Sequence, residues 1–220
     1  MNDAPFDLET VDHLLSTTRA VRRRLDLERP VERDVLLDCL RLSQQAPTGS
    51  NAQGWRWVVV TDAAKRTALA DLYRKTGEGY LAAARDQTQG ADPQTARVYD
   101  SAMWLLEHLA EVPVHVIPCV RGRLPDGVPE GLRAGFYGSI FPAVWSFQLA
   151  LRSRGLGSTL TTLHLGAERE AAELLGIPFE TVTQVALLPV AYTRGTEFRP
   201  ARRRPVEEIC YWDAWKDTRA

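Results

Sequence analysis

Along the chain the apolar positions switch between helical spacing and short unbroken runs, and the switches predict the elements. Residues 11–17 read as a short helix. Residues 35–44 predict a second, with Leu36, Leu37, Leu40 and Leu42 supplying its apolar face. The β-branched run 57–60 predicts a strand closed by Thr61-Asp62, and Asp62 is a suitable N-cap for a helix running to about Lys75. Residues 95–111 read as a helix, 112–120 as a buried strand, Glu168–Leu175 as a helix and 183–190 as a third strand.

Residues 136–154 predict one helix whose large side chains (Phe141, Trp145, Phe147, Leu149, Leu151) cover most of its circumference, and Gly155 and Gly157 end it. Such a helix must be buried on more than one side, at the centre of a domain or at a subunit interface. The polar stretch 76–94, with Gly77, Gly79, Gly90 and Pro93, is a candidate mobile lid over a pocket. The tail 202–220 finds no obvious partner within a small domain and reads as an arm that packs on a neighbouring subunit. No segment repeats and none is of low complexity.

The stretch from Ala46 to Val60 carries the most chemistry. Thr48, Gly49, Ser50, Asn51 and Gln53 lie between a helix pattern that stops at Pro47 and the strand that follows Trp55. Their hydroxyls and amides suit the edge of a polar heterocycle with Trp55 as an apolar wall, or they cap one another in a plain helix-to-strand turn. Two arginine clusters add charge: Arg19, Arg22, Arg23 and Arg24 near the start, and Arg199, Arg202, Arg203 and Arg204 near the end. They are either the two halves of a phosphate site or two solvated faces.

With 220 residues, 45% of them hydrophobic and 25% charged, the chain can bury one good core in a single domain. A formal net charge of -1 disfavours a nucleic-acid partner and directs the arginines toward a small phosphorylated ligand. Cys39, Cys119 and Cys210 form no CxxC pair or metal-ligand cluster, and Cys39 and Cys119 read as buried hydrophobes. Residues 1–12 are acidic without an apolar h-region, and no apolar run has the length of a membrane span. A reducing cytoplasmic setting and no membrane partner are the expectation.

Four blocks in order resemble the FMN-dependent nitroreductase family: Thr18-Arg19-Ala20-Val21-Arg22, Ala46-Pro47-Thr48-Gly49-Ser50-Asn51-Ala52-Gln53-Gly54-Trp55, Gly155-Leu156-Gly157, and Arg203-Arg204-Pro205-Val206-Glu207-Glu208. The resemblance spans roughly residues 11–209 and rests on the order and spacing of the blocks. The family usually reads Arg-Arg-Ser-Val-Arg in the first block and Ala-Pro-Ser-Gly-x-Asn-x-Gln-Pro-Trp in the second. Here Thr18 replaces the first arginine and Ala20 the serine, which removes possible flavin contacts, and Gly54 replaces the proline before Trp55, which loosens that turn.

The resemblance implies an α+β sandwich with a mixed, mostly antiparallel sheet flanked by helices, residues 1–220 forming one FMN-binding domain in an intertwined homodimer. Two FMN sites then lie at the interface, each built from both chains. Arg19, Arg22 and Arg203 are expected to hold the phosphate or to place positive charge near the pyrimidine edge of the ring, with Ala20 between them. Thr48, Gly49, Ser50 and Asn51 are expected to edge the ring, and Thr162, Leu163 and His164 match positions whose backbone amides approach its reactive face. His164 is either a general acid near neutral pH or hydrogen-bonded structure, and no residue is assigned as strictly catalytic.

The activity implied is ping-pong electron transfer from NADH or NADPH through FMN to a nitroaromatic, quinone or similar small acceptor. Trp55, Tyr80, Tyr99 and Trp104 are aromatics that either stack on the acceptor or pack ordinarily. A G-x-G-x-x-G fingerprint is absent, in keeping with transient nicotinamide stacking on the flavin. The alternatives are oxygen-dependent or dehalogenating flavin chemistry on the same fold, and a non-enzymatic flavin-storage protein.

Overall fold

A computed structural model describes residues 5–88, 90 and 92–218, so two positions of the predicted lid, 89 and 91, and the last two of the predicted arm lie outside the described residues. The chain forms two compact units: Arg19–Thr196, and a smaller one made of the segments up to Thr18 and from Glu197 onward. In the smaller unit, helix α1 (Leu8–Thr17) starts at Asp7, whose carboxylate accepts the Thr10 amide at 3.1 Å. Its C-terminal segment carries a 3-10 turn, Val206–Glu208, and an edge-on Tyr211–Trp215 pair at 4.8 Å.

The larger unit is built on a five-stranded antiparallel sheet of order β1-β2-β5-β3, with β4 also pairing to β2. β1 (Trp55–Val60) pairs along its length with β2 (Val114–Arg121), whose residues are buried from Val114 to Val120. The other side of β2 takes β4 (Val182–Gln184) near one end and β5 (Leu188–Tyr192) near the other. β3 (Leu156–Ser158) pairs with β5. Isolated parallel bridges at Ala20–Ser158 and Gly122–Val182 supply the mixed character expected of the sheet.

Helices cover both faces, as strand alternation requires. On one face α2 (Arg33–Ser43) and α6 (Phe141–Arg152) pack Leu36, Cys39, Val144, Phe147 and Leu151 against Trp55, Val116 and Val190. On the other, α3 (Ala63–Gln87) and α7 (Glu168–Leu175) bring Leu69 and Ala171 against Val60, with Val58 alongside. Asp62 caps α3 as its sequence predicts, accepting the Lys65 amide at 2.9 Å.

Three elements differ from the sequence expectation. The helix begun at Asp62 does not stop near Lys75: α3 continues to Gln87, and α4 (Pro93–His108) follows, so most of the segment 76–94 is helical. Gly77 explains the misreading, because a Cβ there would lie 2.6 Å from Leu163 Cδ1; the glycine permits close packing, not a turn. The stretch 136–154 is two helices, α5 (Glu130–Gly138) and α6, since Pro142 belongs in the first turn of a helix and its amide-less nitrogen favours a fresh start after Ser139-Ile140. The third strand is split into β4 and β5. From Cys119 to Val116 β2 moves three residues while its partner moves four, Gln184 to Leu188, which is a bulge that bends the second strand.

Candidate functional site

The first arginine block runs beside β3. The Val21 amide donates to Ser158 O at 2.9 Å, and Ser158 Oγ accepts from Gln148 Nε2 at 3.0 Å, so Arg22 leaves a fixed backbone. Gly157 holds this crossing tight: a Cβ on it would meet Val21 Cβ at 2.9 Å and Thr193 Cγ2 at 2.7 Å. Arg22 is half-buried, and its Nη1 donates to Ser101 Oγ of α4 at 3.2 Å. Burial pulls its pKa down, opposed by the nearby Tyr73 phenol, and no carboxylate pairs with it among the described residues. Arg19 is half-buried and Ala20 exposed. Arg23 and Arg24 turn elsewhere, donating to Asp100 O and Arg194 O.

Thr162, Leu163 and His164 meet the same neighbourhood through α3. Tyr73, itself 2% exposed, places its hydroxyl 3.0 Å from Thr161 Oγ1, and Thr76 Oγ1 donates to Leu163 O at 2.6 Å. Burial raises the Tyr73 pKa, against the pull of Thr161 and Arg22. Thr162 is exposed at the start of a 3-10 turn, Leu163–Ala167, whose first amides have no partner within the turn. The His164 side chain does not serve as a general acid near neutral pH. It is fully buried, desolvation lowers its pKa to about 4, and neither ring nitrogen finds a hydrogen bond. The Glu168 charge opposes that shift, as does the neighbouring Gln184 side chain, whose Oε1 is likewise buried.

The polar loop is anchored differently. Its backbone is left-handed at three non-glycine residues, Ser50 (φ 53°), Asn51 (φ 50°) and Gln53 (φ 46°). Such residues are uncommon, and each stores conformational energy that surrounding contacts must offset. The contacts come from Ser139, between α5 and α6: its Oγ accepts the Gly49 amide at 3.0 Å and its O accepts Trp55 Nε1 at 2.8 Å. Within the loop, Gln53 N donates to Thr48 Oγ1 and Gln53 Nε2 to Asn51 Oδ1. Thr48 is half-buried while Gly49, Ser50 and Asn51 are exposed. The polar groups therefore cap one another, as the plain-turn reading expects, and Gly49, Ser50 and Asn51 remain presented outward.

Arg203 belongs to the smaller unit, where it is exposed and its Nη1 donates to Arg202 O at 3.2 Å. Trp55 is buried in the core and unavailable for stacking, whereas Tyr80 on α3 is exposed and hydrogen-bonds Tyr99 of α4, raising the Tyr99 pKa. Trp104 packs in a tilted pair with His108, ring centres 4.5 Å apart. Ser101, Tyr73 and Ser139 are the positions the sequence reading missed. Nothing in their local sequence marks them, since each acts across elements far apart in the chain.

An open antiparallel sheet sheathed by helices is the architecture of an α+β protein, and this one carries a half-buried guanidinium with no carboxylate partner among the described residues, together with an outward-facing strained loop. The nitroreductase family model matches residues 15–192, and the chain belongs to that family of oxidoreductases. It is 29% identical over 207 residues to an NADH dehydrogenase of Thermus thermophilus, covering 88% of this chain and 91% of that protein. A nitrobenzene nitroreductase of Ectopseudomonas oleovorans is 37% identical over 82 residues, 36% of this chain and 34% of that one. The fold matches that of an oxidized iodotyrosine deiodinase bound to FMN and 3-iodo-L-tyrosine with a TM-score of 0.70 at 21% identity, over 93% of this chain and 100% of the other.

Proposed function

We propose that this protein is an NAD(P)H-dependent FMN oxidoreductase that passes electrons by a ping-pong mechanism to a nitroaromatic, quinone or similar small acceptor, and that it works as a homodimer. The observation that carries the reading is Arg22, a cation drawn partly out of water beside Ser101 and Tyr73, with no carboxylate paired to it among the described residues. A buried charge without a partner is costly, and a phosphate supplies the partner. The residues fit FMN: Arg19 and Arg22 from the fixed crossing over β3, Ala20 through its backbone, and Arg203 as a further phosphate cation.

When bound, FMN supplies the hydride acceptor and electron store that no side chain here provides. The chain binds and orients. Thr48, Gly49, Ser50 and Asn51 offer hydroxyl, amide and backbone groups on a loop held rigid by Ser139, and Thr162, Leu163 and His164 edge the ring with backbone amides. His164 contributes its amide alone, so protons come from water. Exposed Leu132, Phe141 and Trp145 on α5 and α6 suit a subunit interface, as do Val206, Ile209, Trp212 and Trp215 in the arm 202–220. The hairpin of α3 and α4 containing residues 76–94 is the proposed cover of the acceptor pocket. The free cysteines Cys39, Cys119 and Cys210 agree with a reducing cytoplasm.

The test is the visible spectrum of the purified protein, then addition of NADH or NADPH without oxygen. Flavin bands near ~450 nm that bleach within turnover time support the reading and name the donor. Bands that bleach only over far longer times indicate flavin storage, and a protein that neither carries nor takes up FMN removes the proposal.

A further inference from the structure

At the far end of β1 and β2 two further guanidiniums, those of Arg56 and Arg121, have no ion pair among the described residues. We propose that the cleft lined by Arg56, Arg121 and Arg123 is a binding site for a phosphate or pyrophosphate group, sharing no residue with the site proposed for FMN. The cleft encloses about 600 Å³, within the range of small-ligand sites, and Gly122, Glu180 and Thr181 complete its working wall.

Sheet register puts the charges together. Arg56 lies opposite Cys119, and Arg121 follows two residues later on the same face, so the two arginines are diagonal cross-strand neighbours within reach of each other's long side chains. Both are exposed. Arg56 Nη1 donates only to the carbonyl of Trp55 at 2.6 Å, and Arg121 has no ion pair among the described residues. Like charges so placed repel each other, and an oxyanion between them reverses the sign of that interaction.

The remaining charges of the cleft are already committed. Arg123 pairs with Glu168 at 2.8 Å, donates to Phe179 O and Val182 O, and lies 3.7 Å over the Phe179 ring, so it is a fixed wall whose charge is cancelled. Glu180, the acidic residue lining the cleft, is engaged by Arg169 at 3.1 Å. Two open guanidiniums remain, matching a phosphate dianion in charge and in fork geometry. Their backbone is set in advance: Arg121 N donates to Gly54 O at 2.9 Å, and Gly122 N to Thr181 O at 2.7 Å. Gly122 adopts φ +104°, a turn that other residues rarely make. A fixed backbone confines the freedom lost on binding to the two side chains.

The experiment is calorimetric titration of FMN-loaded protein with pyrophosphate, beside the Arg56→Gln/Arg121→Gln double variant. Saturable binding of one anion per chain that weakens at least about tenfold in the variant, and that weakens with added salt, is expected. Absence of saturable binding, or equal affinity in the double variant with its thermal midpoint unchanged, overturns the site. Should the protein take no FMN, the same titration on the Arg22→Gln variant keeps the two proposals apart, since binding there must persist. An ADP arm identifies the source within the same chemistry: tighter binding than pyrophosphate marks a nucleotide, weaker binding the free anion, and both retain the site.

Discussion

Arg22 and Arg123 are both guanidiniums withdrawn partly from water, and their surroundings are opposite. Arg123 has a carboxylate, two carbonyls and an aromatic face within contact, and its pKa is raised chiefly by Glu168. Glu168 is in turn tied to the Gln184 amide and, through its own carbonyl, to Gln184 Nε2. Arg22 has a serine hydroxyl and a phenol. A buried polar group satisfied from within belongs to the fold, and one left unsatisfied is either tolerated at a cost or reserved for a ligand. On the proposed reading, the pair separates a structural charge from one kept for a ligand inside one sheet-and-helix framework.

The largest expected effect extends the contrast to the buried histidines. His115 and His164 are both fully buried with pKa values lowered to about 4 by desolvation; His115 Nε2 donates to Leu109 O, while His164 bonds to nothing. Between the unfolded value near 6.5 and about 4 the unfolded chain binds more protons, so stability is whole above pH 6.5 and falls as pH drops through that window. The slope is up to about 1.4 kcal/mol per pH unit for each histidine. Urea midpoints measured across the window check it, and His164→Gln should flatten the slope; an unchanged slope shows that His164 does not remain neutral in the fold.

Arg22→Gln should cost FMN affinity about 2 kcal/mol, the scale of a charged hydrogen bond, with thermal stability held or raised because an unpaired charge is removed. Fluorescence titration of FMN checks it. Unchanged affinity would make Arg22 a structural charge like Arg123. In the same titration Arg203→Ala should weaken binding about tenfold, and unaltered occupancy removes the C-terminal cluster from the phosphate site. Arg123→Ala should do the reverse of Arg22→Gln, losing about 2 kcal/mol of stability by leaving Glu168 unpaired while FMN affinity stays within a factor of about two. The smallest effect is Gly77→Ala, about 1 kcal/mol, since the flexible Leu163 side chain can give way to the new methyl.

Elements with a strong local signal were legible in the sequence: the Asp62 cap, the buried run of β2 and the helix Glu168–Leu175. The failures share a cause. Gly77 looks like punctuation until Leu163, distant in sequence, is seen against it, and the bulge between Gln184 and Leu188 exists only relative to β2. The candidate site divides the same way. The arginine block and the loop 48–51 stood out by composition, whereas Tyr73, Ser101 and Ser139 act through contacts formed only in three dimensions. The His164 ring carried no sequence mark of its burial.

Ser139 holds both ends of the strained loop, one through its hydroxyl and the other through its carbonyl, and it sits at the joint between α5 and α6. A clasp of this kind ties the loop to that joint while the Trp55 backbone stays in register with Val120 of the sheet. A tilt at the start of α6 therefore loads Gly49 and the Trp55 indole through the same residue, one by way of its side chain and the other by way of its backbone.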